Sequence, residues 1–174
     1  MSTWTSVSLP YVAGNAADVW AAEASASGGV GTQRLVAVAE RVADDELAEA
    51  LNLETERLII SRSRIMLLDG RPVELVDSHY PASIAQGTRL AEERKVPGGA
   101  VGHLASLGFP VRKVVEDVTA RLATETEAEA FDLVTPACVI ELQRISLSDG
   151  GRPVEATRMV SPAAGRRLRY EITP

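Results

Sequence analysis

The chain has 174 residues, 45% apolar and 24% charged, with a formal net charge of −6. This is the composition of one ordinary globular domain with a core of its own, and its negative charge argues against binding of nucleic-acid phosphates by this chain alone. A single cysteine excludes an internal disulfide framework and argues against a cysteine metal site. No apolar run reaches the length of a membrane span, and Met1 is not followed by a basic and then hydrophobic leader, so a cytoplasmic protein is expected.

Residues 1–15 contain Pro10, Gly14 and Asn15 and read as an irregular lead-in to one domain over residues 16–174, with no internal boundary. Asn15 is placed to cap a helix from Ala16 to about Ser27, closed by Gly28-Gly29 and anchored on the core by Trp20. Thr32 to Val42 alternates as a strand does. Asp44 or Asp45 then opens a short helix through Leu51. The next stretch, Leu58 to about Tyr80, holds Asp69-Gly70 between two apolar runs, among the strongest short hairpin signals. Alternation along its first strand puts Ile60, Arg62, Arg64, Met66 and Leu68 on one face. Pro81 stops the second strand. Ala82 to Glu93 reads as a helix, and another runs from about Gly99 to Leu107, ended by Gly108. Val111 to Leu122 is a strand. Thr124 to Phe131 is a helix, with Thr124 and Glu127 spaced as a capping box. Ala137 to Ser148 and Val154 to about Val160 form a second hairpin, with Cys138 expected in the core, and Arg166 to Ile172 closes as a strand. The clear pairings are hairpins, so the expected class is an antiparallel α+β domain.

The second hairpin repeats the first. Arg64 matches Arg144, Asp69-Gly70 matches Asp149-Gly150, and Arg71-Pro-Val-Glu74 matches Arg152-Pro-Val-Glu155, with one extra glycine. Two such hairpins suggest a sheet built from two similar halves.

Arg62 and Arg64 are the leading binding candidates. A guanidinium on an apolar face needs an anionic partner, or it loses several kcal/mol, roughly, of solvation. Two guanidiniums suit a bidentate grip on a carboxylate or phosphate. The residues alone leave a structural role open, with Glu74 and Glu116 as partners across the sheet. Glu74 and Glu155 are candidate acceptors for hydroxyl or amine groups. Gly98-Gly99, before a helix, is placed to offer backbone N–H groups to an anion. No phosphate loop follows those glycines, and His79 and His103 lack the spacing of metal ligands, so neither cofactor nor metal is expected.

In order and spacing, these residues resemble the UTRA domain, the effector-binding module of HutC-type GntR transcriptional regulators. The resemblance runs from Ser6-Val-Ser-Leu-Pro-Tyr-Val12 through Trp20, Gly31-Thr-Gln-Arg-Leu35, Arg62-Ser-Arg64, Asp69 to Glu74 and Gly87-Thr88. It ends with Gly151 to Glu155 and Arg167 to Ile172. It implies a chorismate lyase-like fold, an antiparallel sheet of about six strands with helices around it. It also implies a homodimer that senses a small anionic effector and reaches DNA through a winged helix-turn-helix domain, for which residues 1–15 are too short. By the same resemblance Arg62 and Arg64 are the paired strand arginines, Glu74 and Glu155 contact the effector, and Gly98-Gly99 falls at the anion-binding helix start. Ser161 falls near a position that often holds tyrosine. The helix start is often serine-rich in the family and has no serine here, which leaves open an acid other than a sugar phosphate. Two alternatives stand beside the sensor: an enzyme of the chorismate lyase type, and a stand-alone protein that pairs with a full-length regulator.

Overall fold

The computed structural model describes residues 4–6 and 19–170. Its main sheet has six strands: β2 (Gly31–Val42), β3 (Leu58–Leu68), β4 (Arg71–Pro81), β5 (Lys113–Leu122), β6 (Cys138–Leu147) and β7 (Pro153–Pro162). Every pairing is antiparallel, in the order β2-β3-β4-β7-β6-β5. A short parallel pair, β1 (Trp4–Ser6) with β8 (Arg166–Leu168), stands apart. The α+β class, with two hairpins in one antiparallel sheet, is as expected. Asp69 and Gly70 have φ of 51° and 77°, the left-handed pair that lets two strands reverse over two residues without splaying. In the second hairpin the extra glycine makes the turn a 3-10 turn, Asp149–Gly151, with Gly150 and Gly151 both left-handed.

Helices cover both faces. On one face α1 (Val19–Ala26) lays Trp20 and Ala24 over Met66, Leu68 and Val76. The Trp20 indole N–H donates to the Thr32 and Leu67 carbonyls, as a buried indole must. Helix α1 crosses β2 closely: a Cβ at Gly31 would lie 2.7 Å from the Ala24 Cβ. On the same face Ile84 and Ala85 of α3 (Ala82–Ala85), Leu90 of a 3-10 turn (Arg89–Ala91) and Leu104 of α4 (Gly99–Ser106) bury Ile60 and Tyr80. Each of the leucines and isoleucines contributes about 1.5–3 kcal/mol on burial. The opposite face carries α2 (Asp45–Ala50), packed on Ile59 and Ala156, and α5 (Glu125–Ala130), followed by Phe131 on Val139 and Val160. Asp44 caps α2 and the expected Thr124/Glu127 capping box opens α5.

Four local expectations differ. The helix expected over Ala82 to Glu93 breaks after Ala85: Gly87 turns left-handed, and the Leu90 and Glu92 carbonyls accept from Arg62, the Glu92 carbonyl also from the Arg94 N–H. Cys138 is exposed, because it opens β6 opposite Leu122 on the outermost strand. Trp4–Ser6, inside the expected lead-in, is a strand. The closing strand stops at Leu168 and pairs with β1, so it is not an edge of the main sheet, whose outer strands are β2 and β5. The Asn15 cap, the first turn expected from Ala16, and Glu171-Ile172 lie outside the described residues.

Candidate functional site

Alternation and register put Arg62 and Arg64 of β3, Glu74, Ser78 and Tyr80 of β4, Glu155, Thr157 and Ser161 of β7, Arg144 and Ser146 of β6, and Glu116 of β5 on one face. Their polar groups form a band beside the apolar patches of that face, and Tyr80 belongs to one patch through its ring and to the band through its hydroxyl. The four strand residues the sequence singled out, Arg62, Arg64, Glu74 and Glu155, thus share a face, yet each has a different set of partners.

Arg62 is buried and, among the described residues, is hydrogen-bonded to no carboxylate. Its guanidinium donates to the carbonyls of Leu90, Glu92 and Arg94, at 2.7, 2.8 and 2.7 Å. It ties down the loop that leads to α4 and therefore positions Gly98-Gly99 at that helix's start. Both glycines have positive φ, and the Gly99 N–H already donates to the Val96 carbonyl. Burial lowers the Arg62 pKa, opposed by the nearby Tyr80.

Arg64 is half-buried. Its Nη2 donates to the Ser78 hydroxyl at 2.7 Å, and its buried Nε has no hydrogen-bond partner among the described residues. Ser78 in turn shares a 3.1 Å hydrogen bond with Thr157. Arg144, its counterpart in the repeat, sits opposite Thr157 and is held at 2.6 Å by Glu116, each side chain only 11% exposed. Glu74 accepts from Arg166 of β8 at 2.8 Å. Burial raises the Glu74 pKa, and the charges of Arg166, Arg144 and Arg64 oppose that shift. Glu155 accepts from the Tyr80 hydroxyl at 2.7 Å and from Ser146 at 3.3 Å. Burial, then the Glu155 charge, pushes the Tyr80 pKa up, so the phenol stays a donor. Ser161 is buried opposite Ile140. The pairings the sequence left open, Arg62 or Arg64 with Glu74 or Glu116, are instead Arg166 with Glu74 and Arg144 with Glu116.

The opposite face holds a second ionic cluster. Arg121 and Arg158 both donate to Glu127 and Glu141. Hydrogen bonding to Arg121 holds the Glu127 carboxyl down at about 2. Every group here has a charged partner, so the cluster needs no ligand. No set of three His, Cys, Asp or Glu side chains among the described residues is arranged for a metal. A groove of about 560 Å³ lies against α5, but Glu125, Glu129 and Asp132 line it and suit no anion.

Sequence reasoning overlooked Ser78, Tyr80, Ser146, Thr157 and Arg166. The first four were findable: stepping by two from Glu74, Arg144 and Glu155 reaches all of them. Arg166 had no such signal, since only the tertiary fold carries β8 to Glu74.

The UTRA domain family model matches residues 26–164. A curated HTH-type transcriptional regulator of Rhizobium meliloti is 32% identical over 82% of this chain and 57% of its own length. One of Streptomyces coelicolor is 27% identical over 63% of this chain and 42% of its own. The chain thus spans about half the length of these curated relatives. Among solved structures, the effector domain of PhnF from Mycobacterium smegmatis has a TM-score of 0.77 at 20% identity, covering 89% of this chain and 94% of that one. The C-terminal domain of the histidine utilization repressor from Pseudomonas syringae has a TM-score of 0.71 at 21% identity, covering 83% and 99%. At such identities the structures speak for the fold alone. The fold and the length of the family match agree, and the chain belongs to the UTRA domain family.

Proposed function

We propose that the chain is the sensor part of a GntR-type, HutC-like transcriptional regulator and binds a small anionic metabolite on the polar face of its sheet. The observation that carries this reading is Arg64: its Nε is buried without a partner among the described residues, and its Nη2 leads to the linked hydroxyls of Ser78 and Thr157. A buried N–H left unsatisfied costs about 1–3 kcal/mol, and an anion would recover it. Arg62 and Gly98-Gly99 shape the wall around the ligand, Glu74 and Glu155 accept from its hydroxyl or amine groups, and Ser161 lines the floor. The activity is binding, with no catalysis and no cofactor, in keeping with the regulators that this chain resembles.

In the same reading the chain pairs as a homodimer, for which the exposed Val118 and Leu122, on one face of the outer strand β5, offer an apolar surface. It does not bind DNA by itself, given its charge of −6. Effector binding then biases how the pair places attached DNA-binding domains. No helix of the described residues is long and apolar enough to cross a membrane.

The test is a thermal-shift screen over carboxylic acids, sugar phosphates and other anionic metabolites. A ligand at a hundredfold excess over its Kd stabilises by about 2.7 kcal/mol. The shift should vanish in Arg64→Gln. A screen without hits, or hits that Arg64→Gln still binds, would overturn the reading. Size-exclusion chromatography should give twice the chain mass, and labelled duplex DNA should not shift even at low salt.

A further inference from the structure

Arg64 and Arg144 occupy matching places in the two repeats, but only Arg144 is neutralised. Glu116 takes it in a pair that is nearly nine-tenths buried, and the Tyr170 hydroxyl donates to the other Glu116 oxygen. The two arginines belong to one electrostatic neighbourhood. Ser78, which accepts from Arg64, is hydrogen-bonded to Thr157, and Thr157 lies directly opposite Arg144 in the sheet. Both guanidiniums also act on Glu74. Glu23 and Arg166 bear on Glu74 as well, so what separates the two repeats is the pairing: Arg144 has the Glu116 carboxylate, whereas Arg64 has a hydroxyl and an Nε without a partner among the described residues.

Resting on the effector-site reading, we propose that Glu116 is a specificity-determining residue: by holding Arg144 it sets the site to accept one negative charge, so the effector is a monocarboxylate. A phosphate monoester carries about −1.5 to −2 at neutral pH. Its second charge would enter a largely buried band in which Arg144 is already held by Glu116, and an unmatched buried charge is strongly disfavoured. A planar carboxylate needs only the Arg64 guanidinium, whose Nε has no partner among the described residues. Removing the Glu116 charge releases Arg144 and turns the site toward dianions.

The experiment uses acetate and methyl phosphate as probes, titrated at matched ionic strength and at about pH 7.5, where the phosphate ester is mainly dianionic. Calorimetry or thermal shift gives the preference for one probe over the other. The wild type should prefer acetate by about tenfold or more, and Glu116→Gln should move the preference toward methyl phosphate by at least about tenfold. Glu116→Asp, which keeps the charge, should behave as wild type. The double variant Glu116→Gln with Arg144→Gln should restore the preference for acetate. It also guards against a Glu116→Gln protein that is merely misfolded, because it removes the Arg144 charge that the single variant leaves without its carboxylate. A wild type that prefers methyl phosphate, that binds neither probe, or whose preference does not move in Glu116→Gln would overturn the role of Glu116. In those cases a metabolite held by Arg64 in the screen would still leave the effector-site reading standing.

Discussion

The two halves of the sheet are the same object built twice and used differently. β2-α2-β3-β4 and β5-α5-β6-β7 have the same order of elements and meet at the β4–β7 pairing. The likeness reaches the helices: Ala43 to Leu53 reads against Ala123 to Leu133, and Asn52 and Asp132 both end their helix at φ 53°. The arginines part company. In the second half Arg144 is held by Glu116, and Arg121 by Glu127 and Glu141. In the first half Arg64 has the Ser78 hydroxyl, and Arg41 has the Ser61 hydroxyl and His79. A guanidinium paired with a carboxylate is spent on the fold, whereas one that meets only a hydroxyl keeps its charge for something else. In the proposed reading the difference gives the first half the arginine that grips the anion and the second half the arginine that is already paired.

The comparison breaks most directly at the matched arginines. Arg144→Gln leaves the Glu116 carboxylate buried without its cation and should lower stability by about 3 kcal/mol. Arg64→Gln breaks one hydrogen bond to a hydroxyl and should stay within about 1 kcal/mol of wild type in the absence of ligand. Urea unfolding of both variants decides it, and the reverse order would make Arg64 the structural residue.

The next effect is at Glu127, whose counterpart is Leu47. Glu127→Ala removes the acceptor of Arg121 and Arg158 together with half of a capping box, and should lose about 2 kcal/mol, discounted because both arginines are partly exposed. Leu47→Ala removes only half-buried packing and should lose about 1 kcal/mol. The Glu127 effect should also depend on pH. Its folded pKa is lowered from 4.5 to about 2, so its contribution is full above the ordinary value and fades as the pH falls through that window. The stability gap between wild type and Glu127→Ala should therefore narrow from pH 4.5 down to about 2, whereas that for Leu47→Ala should not. Unfolding midpoints taken across that range would show it.

The smallest effect tests what the halves share. Asp44 and Thr124 each accept from a backbone N–H in the first turn of α2 and α5. Alanine at either should lower stability by about 1 kcal/mol, and by similar amounts. Unequal losses in hydrogen-exchange protection of the two helices would mean that the repeat is less faithful than its backbone.

Much of the band was readable before any coordinates. Arg62, Arg64, Glu74 and Glu155 were assigned to strands, and the repeat already set Arg144 beside Arg64 as its equivalent. What could not be read was how each charge is answered. Arg62 shows why: nothing near it in the chain says that residues 90–94 will cross over it and offer three carbonyls. That loop was expected to be helical, because its apolar spacing is helical, and its bonding was decided by a residue almost thirty positions away.

Asp69-Gly70 determines a hairpin by itself, since both residues accept a left-handed backbone, and alternation then determines which side chains share a face. These are short-range consequences of sterics, and the sequence carries them in full. Which guanidinium keeps a free N–H is settled by the placing of β4 beside β7, by β5 bringing Glu116 to Arg144, and by β8 bringing Arg166 to Glu74. Those contacts join residues from 28 to 92 positions apart. A charge takes the nearest partner in space, and only the tertiary structure decides which partner that is.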